Sequence, residues 1–292
     1  MTRAQARSLP YAAVALAACS WGTWALFLRK AEALAPMGAA LESTVVMATM
    51  TLVSGLTMLR DRTMQPASWK ARGWVAWLGV SDAMNVLLYF AAVRLVITVA
   101  VLVHYLTPVL VAVAAPFVLR ETLTRRTALA VIASMGGLAI MLTPASGPSD
   151  RAAAWWAAAF AAGSAVFYAS NVIVNKLIAS AFSPSEAMFW HGVVATPLLA
   201  SMVPCAAWAT LDARAVGFLA LVAIGPGALA GLAYVWGLRR MPAAHASTLT
   251  LIEPLVAVSL GAAVFGEPFG PRTLIGGALI LGASLVVMRS PT

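Results

Sequence analysis

Apolar residues recur along the chain in long runs, separated by short polar connections that carry Pro, Gly, Ser and Asp. Runs of about 20 residues match the thickness of a bilayer's hydrocarbon core when wound as helices. Ten such runs predict ten transmembrane helices: Pro10–Leu28, Gly38–Leu59, Gly73–Val93, Ile97–Leu119, Thr127–Thr143, Trp155–Ile178, Glu186–Trp208, Val216–Leu238, His245–Phe265 and Thr273–Met288. The pattern therefore expects an all-α integral membrane protein, with connections too short to form a separate soluble domain. One run is interrupted. Ile97–Leu119 contains "HYLTPVL", His104 to Leu110, and proline inside a helix removes a hydrogen bond at a cost of roughly 3 kcal/mol.

The interrupted run has a partner. A shift of 146 residues, half the chain, lays "HYLTPVL" on "TLIEPLV" and brings Pro108 onto Pro254. The same shift aligns Glu121 with Glu267, Arg126-Thr127 with Arg272-Thr273, Gly136 with Gly282 and Lys30 with Lys176. With a one-residue adjustment, Tyr89 meets Tyr234 and Arg94 meets Arg239. The chain reads as a duplicated five-helix unit, with repeat 1 at 1–146 and repeat 2 at 147–292. Five is odd, so the second copy enters the membrane from the opposite side. The expectation is a 5+5 inverted-topology repeat, the plan of secondary transporters whose site lies at the midplane between the halves. Pro108 and Pro254 fall near the centres of the fourth and ninth helices, where a kink is tolerated if it lines a cavity. Glu121 and Glu267 fall in short loops and are expected to cap the turns into the fifth and tenth helices.

Polar side chains at membrane depth are the functional candidates, because a charge at a helix centre costs roughly 2.5–3.5 kcal/mol. Asp82, Asn85 and Tyr89 are spaced i, i+3, i+7 and share one face of the third helix; Tyr168, Asn171 and Asn175 repeat that spacing in the sixth. Together with Trp24, His104, Tyr105, Tyr234 and Glu253 they nominate a substrate site of Trp24, Asp82, Asn85, Tyr89, His104, Tyr105, Tyr168, Asn171, Tyr234 and Glu253, hinged at Pro108 and Pro254. Tyr89 and Tyr234 are expected to be symmetry-related gates. His191 reads as a packing residue, and Trp69, Trp74, Trp77, Trp155, Trp156 and Trp208, at span ends, read as interface anchors. "GALAG" (Gly227–Gly231) and Ala133/Gly137 read as small-residue helix contacts.

Composition agrees with this picture. Of 292 residues, 62% are hydrophobic and 10% charged, where a soluble domain carries about a quarter charged. The net charge of +9 does not describe a nucleic-acid face. With the N-terminus inside, thirteen of the nineteen Lys and Arg residues fall on the cytoplasmic side, the positive-inside bias that places both termini in the cytoplasm. Cys19 and Cys205 lie in apolar runs and suggest neither a disulfide nor a metal site. "LAAC" (Leu16–Cys19) resembles a lipoprotein processing site, but the apolar run continues to Leu28, so it is expected to stay part of the first helix. No H-E-x-x-H, phosphate-cradling loop or paired aspartates point to an enzyme. The expected partners are the lipid bilayer and a small-molecule substrate, with no nucleic acid, cofactor or metal, in a monomer or weak homodimer. Few lysines and minimal loops suggest a bacterial inner membrane.

Several stretches carry a family resemblance: "SWGTWALFLRK", "YLTPVLVAV", "RETLTRRTALAVIASMGGLAIML" and, in the second half, "IEPLVAVSLGAAVFGEPFGPRTLIGGALILGASLVVM". With ten spans in two inverted halves, they resemble the drug/metabolite transporter superfamily, EamA type, and most closely its bacterial aromatic amino acid exporter branch. Thr107 stands where the typical repeat has the glutamate that Glu253 supplies before Pro254. The resemblance implies export of small organic solutes through a central cavity formed mainly by helices 1, 3, 4, 6, 8 and 9.

Overall fold

The computed structural model describes residues 3–60, 67–142, 150–209, 211–266 and 269–289. It is all-helical, with no strand among the described residues. Among the described residues ten rods follow one another, four of them in pieces, besides one short separate helix. They are α1a (Arg3–Trp21) and α1b (Trp24–Leu34), α2 (Ala39–Met58), α3 (Trp69–Leu95), α4a (Ile97–His104) and α4b (Thr107–Val118), and α5 (Arg125–Leu142). The second half continues with α6 (Arg151–Leu177), α7 (Pro184–Ser201), α8a (Ala213–Val222) and α8b (Ala230–Leu238), α9a (Ala243–Leu249) and α9b (Ile252–Phe265), and α10 (Pro271–Arg289). Nine of the rods are long and apolar enough to cross a membrane among the described residues. The remaining one, α7, spans 18 residues and carries Glu186 and His191.

The sequence pattern misjudged several ends. The first run does not stop at Leu28 but resumes as α1b to Leu34 after a break at Gly22-Thr23, where Thr23 Oγ1 donates to the Ser20 carbonyl at 2.6 Å and competes with the helical ladder. The seventh rod ends at Ser201, ahead of Pro204, and Cys205 belongs to a short separate helix, Cys205–Ala209. The eighth run is not one regular helix: α8a and α8b are joined by a π-helical segment, Ala223–Leu229, containing Pro226, which has no N–H to give the ladder.

Loop contacts define two faces. On the N-terminal face, the start of α1 meets the end of α8: a Cβ on Gly237 would lie 2.6 Å from the Pro10 carbonyl oxygen. On the same face Lys176, at the end of α6, pairs with Glu121 and donates to the Met241 carbonyl at 2.5 Å, while Glu121 accepts the Ala243 N–H at 2.7 Å. Glu121 therefore does not cap α5, as the sequence suggested. It caps α9a and ties the α4–α5 loop to the other half of the chain. Glu267 lies outside the described residues. On the opposite face the Arg29 guanidinium sits 4.6 Å from the Phe265 ring centre.

Two arginine contacts obey the sequence shift. Arg94 Nη2 donates to the Met37 carbonyl at 3.2 Å on one face, and Arg239 Nη1 donates to the Phe182 carbonyl at 2.6 Å on the other. Each is close enough to a buried glutamate to interact, Glu42 for Arg94 and Glu186 for Arg239. Burial holds Arg239 down to about 10, with Arg240 adding to the depression and Glu186 opposing it, so it stays charged at neutral pH.

The outside of the bundle is apolar. Phe117 is 83% exposed, and Leu16, Leu52, Ile132 and Leu221 are similarly open. The polar side chains Ser54, Ser81, Thr107, Ser134, Ser164 and Thr248 are instead fully buried. A soluble protein does the reverse; this distribution suits a solvent of lipid. Trp69 and Trp155 are exposed near the starts of α3 and α6, as interface anchors would be, whereas Trp77 donates its indole N–H to Ser170 at 2.9 Å.

Candidate functional site

Both prolines sit just past a break. α4 is interrupted at Tyr105-Leu106 and α9 at Thr250-Leu251, so that Pro108 and Pro254 occupy the first turns of α4b and α9b, where a missing N–H leaves the helix intact. The freed carbonyls are satisfied locally. Thr107 Oγ1 donates to the His104 carbonyl at 2.8 Å, and the Glu253 N–H to that of Thr250 at 3.0 Å. Glu253 thus lies in the first turn of α9b, where the helix dipole favours a carboxylate. In Thr107→Val, the His104 carbonyl loses its donor without a change of shape. The expected cost is about 1–3 kcal/mol, read as a lower thermal midpoint in detergent.

Around the breaks lies a polar aromatic cluster. His104 lies 4.3 Å from Tyr89 and 5.2 Å from Tyr105 (ring centres), and stacks on Tyr168 at 5.4 Å with 6° between planes. Its Nδ1 shares a hydrogen bond with Ser164 Oγ at 2.9 Å, and Ser164 Oγ lies 2.8 Å from Asn85 Oδ1 and 2.9 Å from the Asn85 carbonyl. Glu253 has Tyr89, Tyr105 and Tyr168 as electrostatic neighbours. This cluster joins α3, α4, α6 and α9, hence both halves of the chain.

Next to it, toward the N-terminal face, lies a cavity of about 110 Å³. Trp21, Tyr168 and Tyr234 supply aromatic walls, and Asp82, Asn171, Asn175 and His191 supply the polar ones. Trp21 and Tyr234 meet at 4.9 Å between ring centres. Asn171 Nδ2 donates to Asp82 Oδ1 at 2.9 Å, and His191 Nε2 stands 3.4 Å from Asp82 Oδ2. His191 Nδ1 faces the Ala187 carbonyl at 3.1 Å, which accepts only, so that nitrogen carries a proton. The lining residues fall in the N-terminal-face halves of α6, α7 and α8 and the middle of α3.

The nominated residues thus divide. Asp82, Tyr168, Asn171 and Tyr234 line the cavity. Asn85, Tyr89, His104, Tyr105 and Glu253 belong to the adjoining cluster. Trp24 is in neither: it packs with Leu28 and Phe218 against Ala31, Met37 and Leu219, and Trp21, three residues earlier, lines the cavity instead. Three further residues join the assembly. His191 was read as packing because it stands alone in its run; only folding brings Asp82 to it. Asn175 shares the spacing of Tyr168 and Asn171, which was the available signal. Ser164 had none, since a serine in an apolar helix most often bonds its own backbone.

A bundle that is apolar outside, with helices broken at mid-span and hollow at a polar aromatic cavity, is a membrane transporter in build. The model of the EamA-like transporter family matches two stretches of the chain, residues 8–143 and 155–289, and the chain belongs to that family. An uncharacterized transporter of Archaeoglobus fulgidus is 28% identical over 216 residues, 73% of this chain and 75% of that one. A solved crystal structure described only as that of a protein matches 97% of this chain and 99% of its own, with a TM-score of 0.79 and 19% identity, a likeness of fold alone.

Proposed function

We propose that this transporter is a secondary exporter of amino acids with aromatic or apolar side chains, with both termini cytoplasmic in a bacterial inner membrane. The observation that carries the reading is the cavity between the halves, walled by Trp21, Tyr168 and Tyr234 and floored by Asp82, Asn171 and Asn175. Rings offer stacking area to an apolar side chain, and a few convergent polar groups orient its charged end. At about 110 Å³ the cavity is smaller than the roughly 300–1,000 Å³ of pockets for drug-sized ligands. Loading therefore needs the helices to part, as rocking of residues 1–146 against 147–292 would provide. Tyr89, in the adjoining cluster, and Tyr234, at the cavity, are the two gates of this cycle.

Wild-type protein in liposomes loaded with labelled phenylalanine or tryptophan is expected to release it. Tyr234→Ala and Tyr89→Ala are each expected to slow release about tenfold, the loss of one ring contact and its buried area. Unchanged efflux in both variants sinks the gate assignment, and no efflux of either amino acid by wild type sinks the amino-acid reading. A second reading, export of organic cations, is favoured by one observation: among the described residues, no Lys or Arg lines the cavity. Efflux of a labelled aromatic amine, without that of phenylalanine, selects it.

A further inference from the structure

Along the Asp82–Asn171–Asn175 wall of the cavity, buried hydrogen-bond acceptors are left unpaired, and their orientation is fixed. Asn171 Nδ2 donates to a carboxylate oxygen of Asp82, and Asn175 Nδ2 donates to the Asn171 backbone carbonyl at 3.0 Å. Neither partner has a proton to give, so neither amide can be turned over without losing its bond. Both amide oxygens are left buried without a donor, on side chains of residues only 6% and 8% exposed that line the cavity. The second Asp82 oxygen is only loosely engaged. At 3.4 Å, His191 Nε2 is beyond the roughly 2.7–2.9 Å of a charge-assisted hydrogen bond. The Tyr234 hydroxyl is also buried on the same wall, beside Tyr168.

We infer that Asp82, Asn171 and Asn175 form an ammonium subsite that holds the amine end of the transported molecule. This rests on the cavity being the transport site and adds which end of the cargo enters it, and why. A primary ammonium brings three N–H donors and one positive charge. That complements one carboxylate and two unpaired amide oxygens. Trp21, Tyr168 and Tyr234 offer ring faces to the cation and to the apolar body behind it. A carboxylate or a phosphate at the same place would face the Asp82 carboxylate and the two unpaired amide oxygens. The subsite therefore reads the amine and is indifferent to what the rest of the molecule carries.

The test uses purified full-length protein in detergent and three probes with one ring: phenethylamine, 2-phenylethanol and 3-phenylpropionate. Thermal midpoint and intrinsic tryptophan fluorescence, to which Trp21 contributes, report binding. Phenethylamine is expected to raise the midpoint, and the alcohol and the acid to leave it unchanged. Asp82→Asn keeps the side-chain size and an oxygen for the Asn171 amide, and is expected to weaken phenethylamine binding about tenfold or more. Asn175→Leu, which removes one of the unpaired oxygens, is expected to weaken it severalfold, and each variant's unliganded midpoint reports its fold.

Equal binding of alcohol and amine, or full binding by Asp82→Asn, overturns the subsite and leaves the aromatic transport cavity standing. Stabilisation by sodium over choline chloride with none by phenethylamine also overturns it, in favour of an inorganic cation. If no probe binds and liposomes retain phenylalanine, the amino-acid reading falls along with the subsite.

Discussion

Glu121→Ala is expected to lower the thermal midpoint of the detergent-solubilised protein by roughly 5 °C or more. Glu121 takes two hydrogen bonds from the other half of the chain, one from the Lys176 ammonium and one from the Ala243 N–H that opens α9a. Both side chains of the pair are largely shielded, at 15% and 20% exposed. Deleting one member of a well-buried pair costs about 3–5 kcal/mol because the other charge is left uncompensated. Here the Met241 carbonyl still holds Lys176 and some water reaches the site, so about 2–3 kcal/mol is the better figure. For a chain of this length, each kcal/mol moves the midpoint by about 2–4 °C or slightly less. The double variant Glu121→Ala/Lys176→Met should recover part of the loss, since it removes the stranded charge as well. A double variant that melts as far down as the sum of the singles would make the two residues independent, and the pair would then not be what joins the halves.

How far the sequence reveals this arrangement depends on how locally each feature is encoded. The apolar runs are legible because lipid selects length and hydropathy span by span. The shift that aligns Pro108 with Pro254 is legible because proline has few roles inside a helix, and the structure places a break two to four residues before each. The interaction of Arg94 with Glu42 and of Arg239 with Glu186 is the opposite case. Glu42 and Glu186 align only after a further adjustment of the shift, so the symmetry of these contacts shows in space before it shows in letters. The same limit separates Trp21 from Trp24. Both belong to one aromatic stretch of α1, but the break at Gly22-Thr23 turns the chain between them, and only Trp21 faces Tyr234. His191 shows the same limit. A lone histidine in an apolar run signals nothing until α3 lays Asp82 against it. Helix periodicity reports which residues share a face, and tertiary packing decides which faces meet.

That turn at Gly22 carries the last prediction. A Cβ placed on Gly22 would lie 2.6 Å from the Glu253 carbonyl oxygen and 2.6 Å from Val256 Cβ. Neither obstacle is the end of a flexible side chain; both are fixed to the backbone of α9b, one turn from its start. Gly22→Ala therefore cannot be absorbed by a rotamer change and must push α1 away from the break in α9. Overpacking of this kind typically costs about 1–3 kcal/mol. The functional cost is expected to exceed the structural one, because the displaced segments carry Trp21 on one side and Glu253 on the other. Efflux from loaded liposomes is expected to fall about tenfold or more, as misplacement of a site by about 1 Å does elsewhere. Gly217→Ala is the control: it also adds a methyl group to a helix of this bundle, but at a position where nothing lies within 4 Å. It should leave efflux unchanged and the midpoint equal or slightly higher, since alanine is the better helix former. If Gly22→Ala transports like Gly217→Ala, the approach of α1 to the α9 break is ordinary packing, and the moving parts of the transport cycle lie elsewhere.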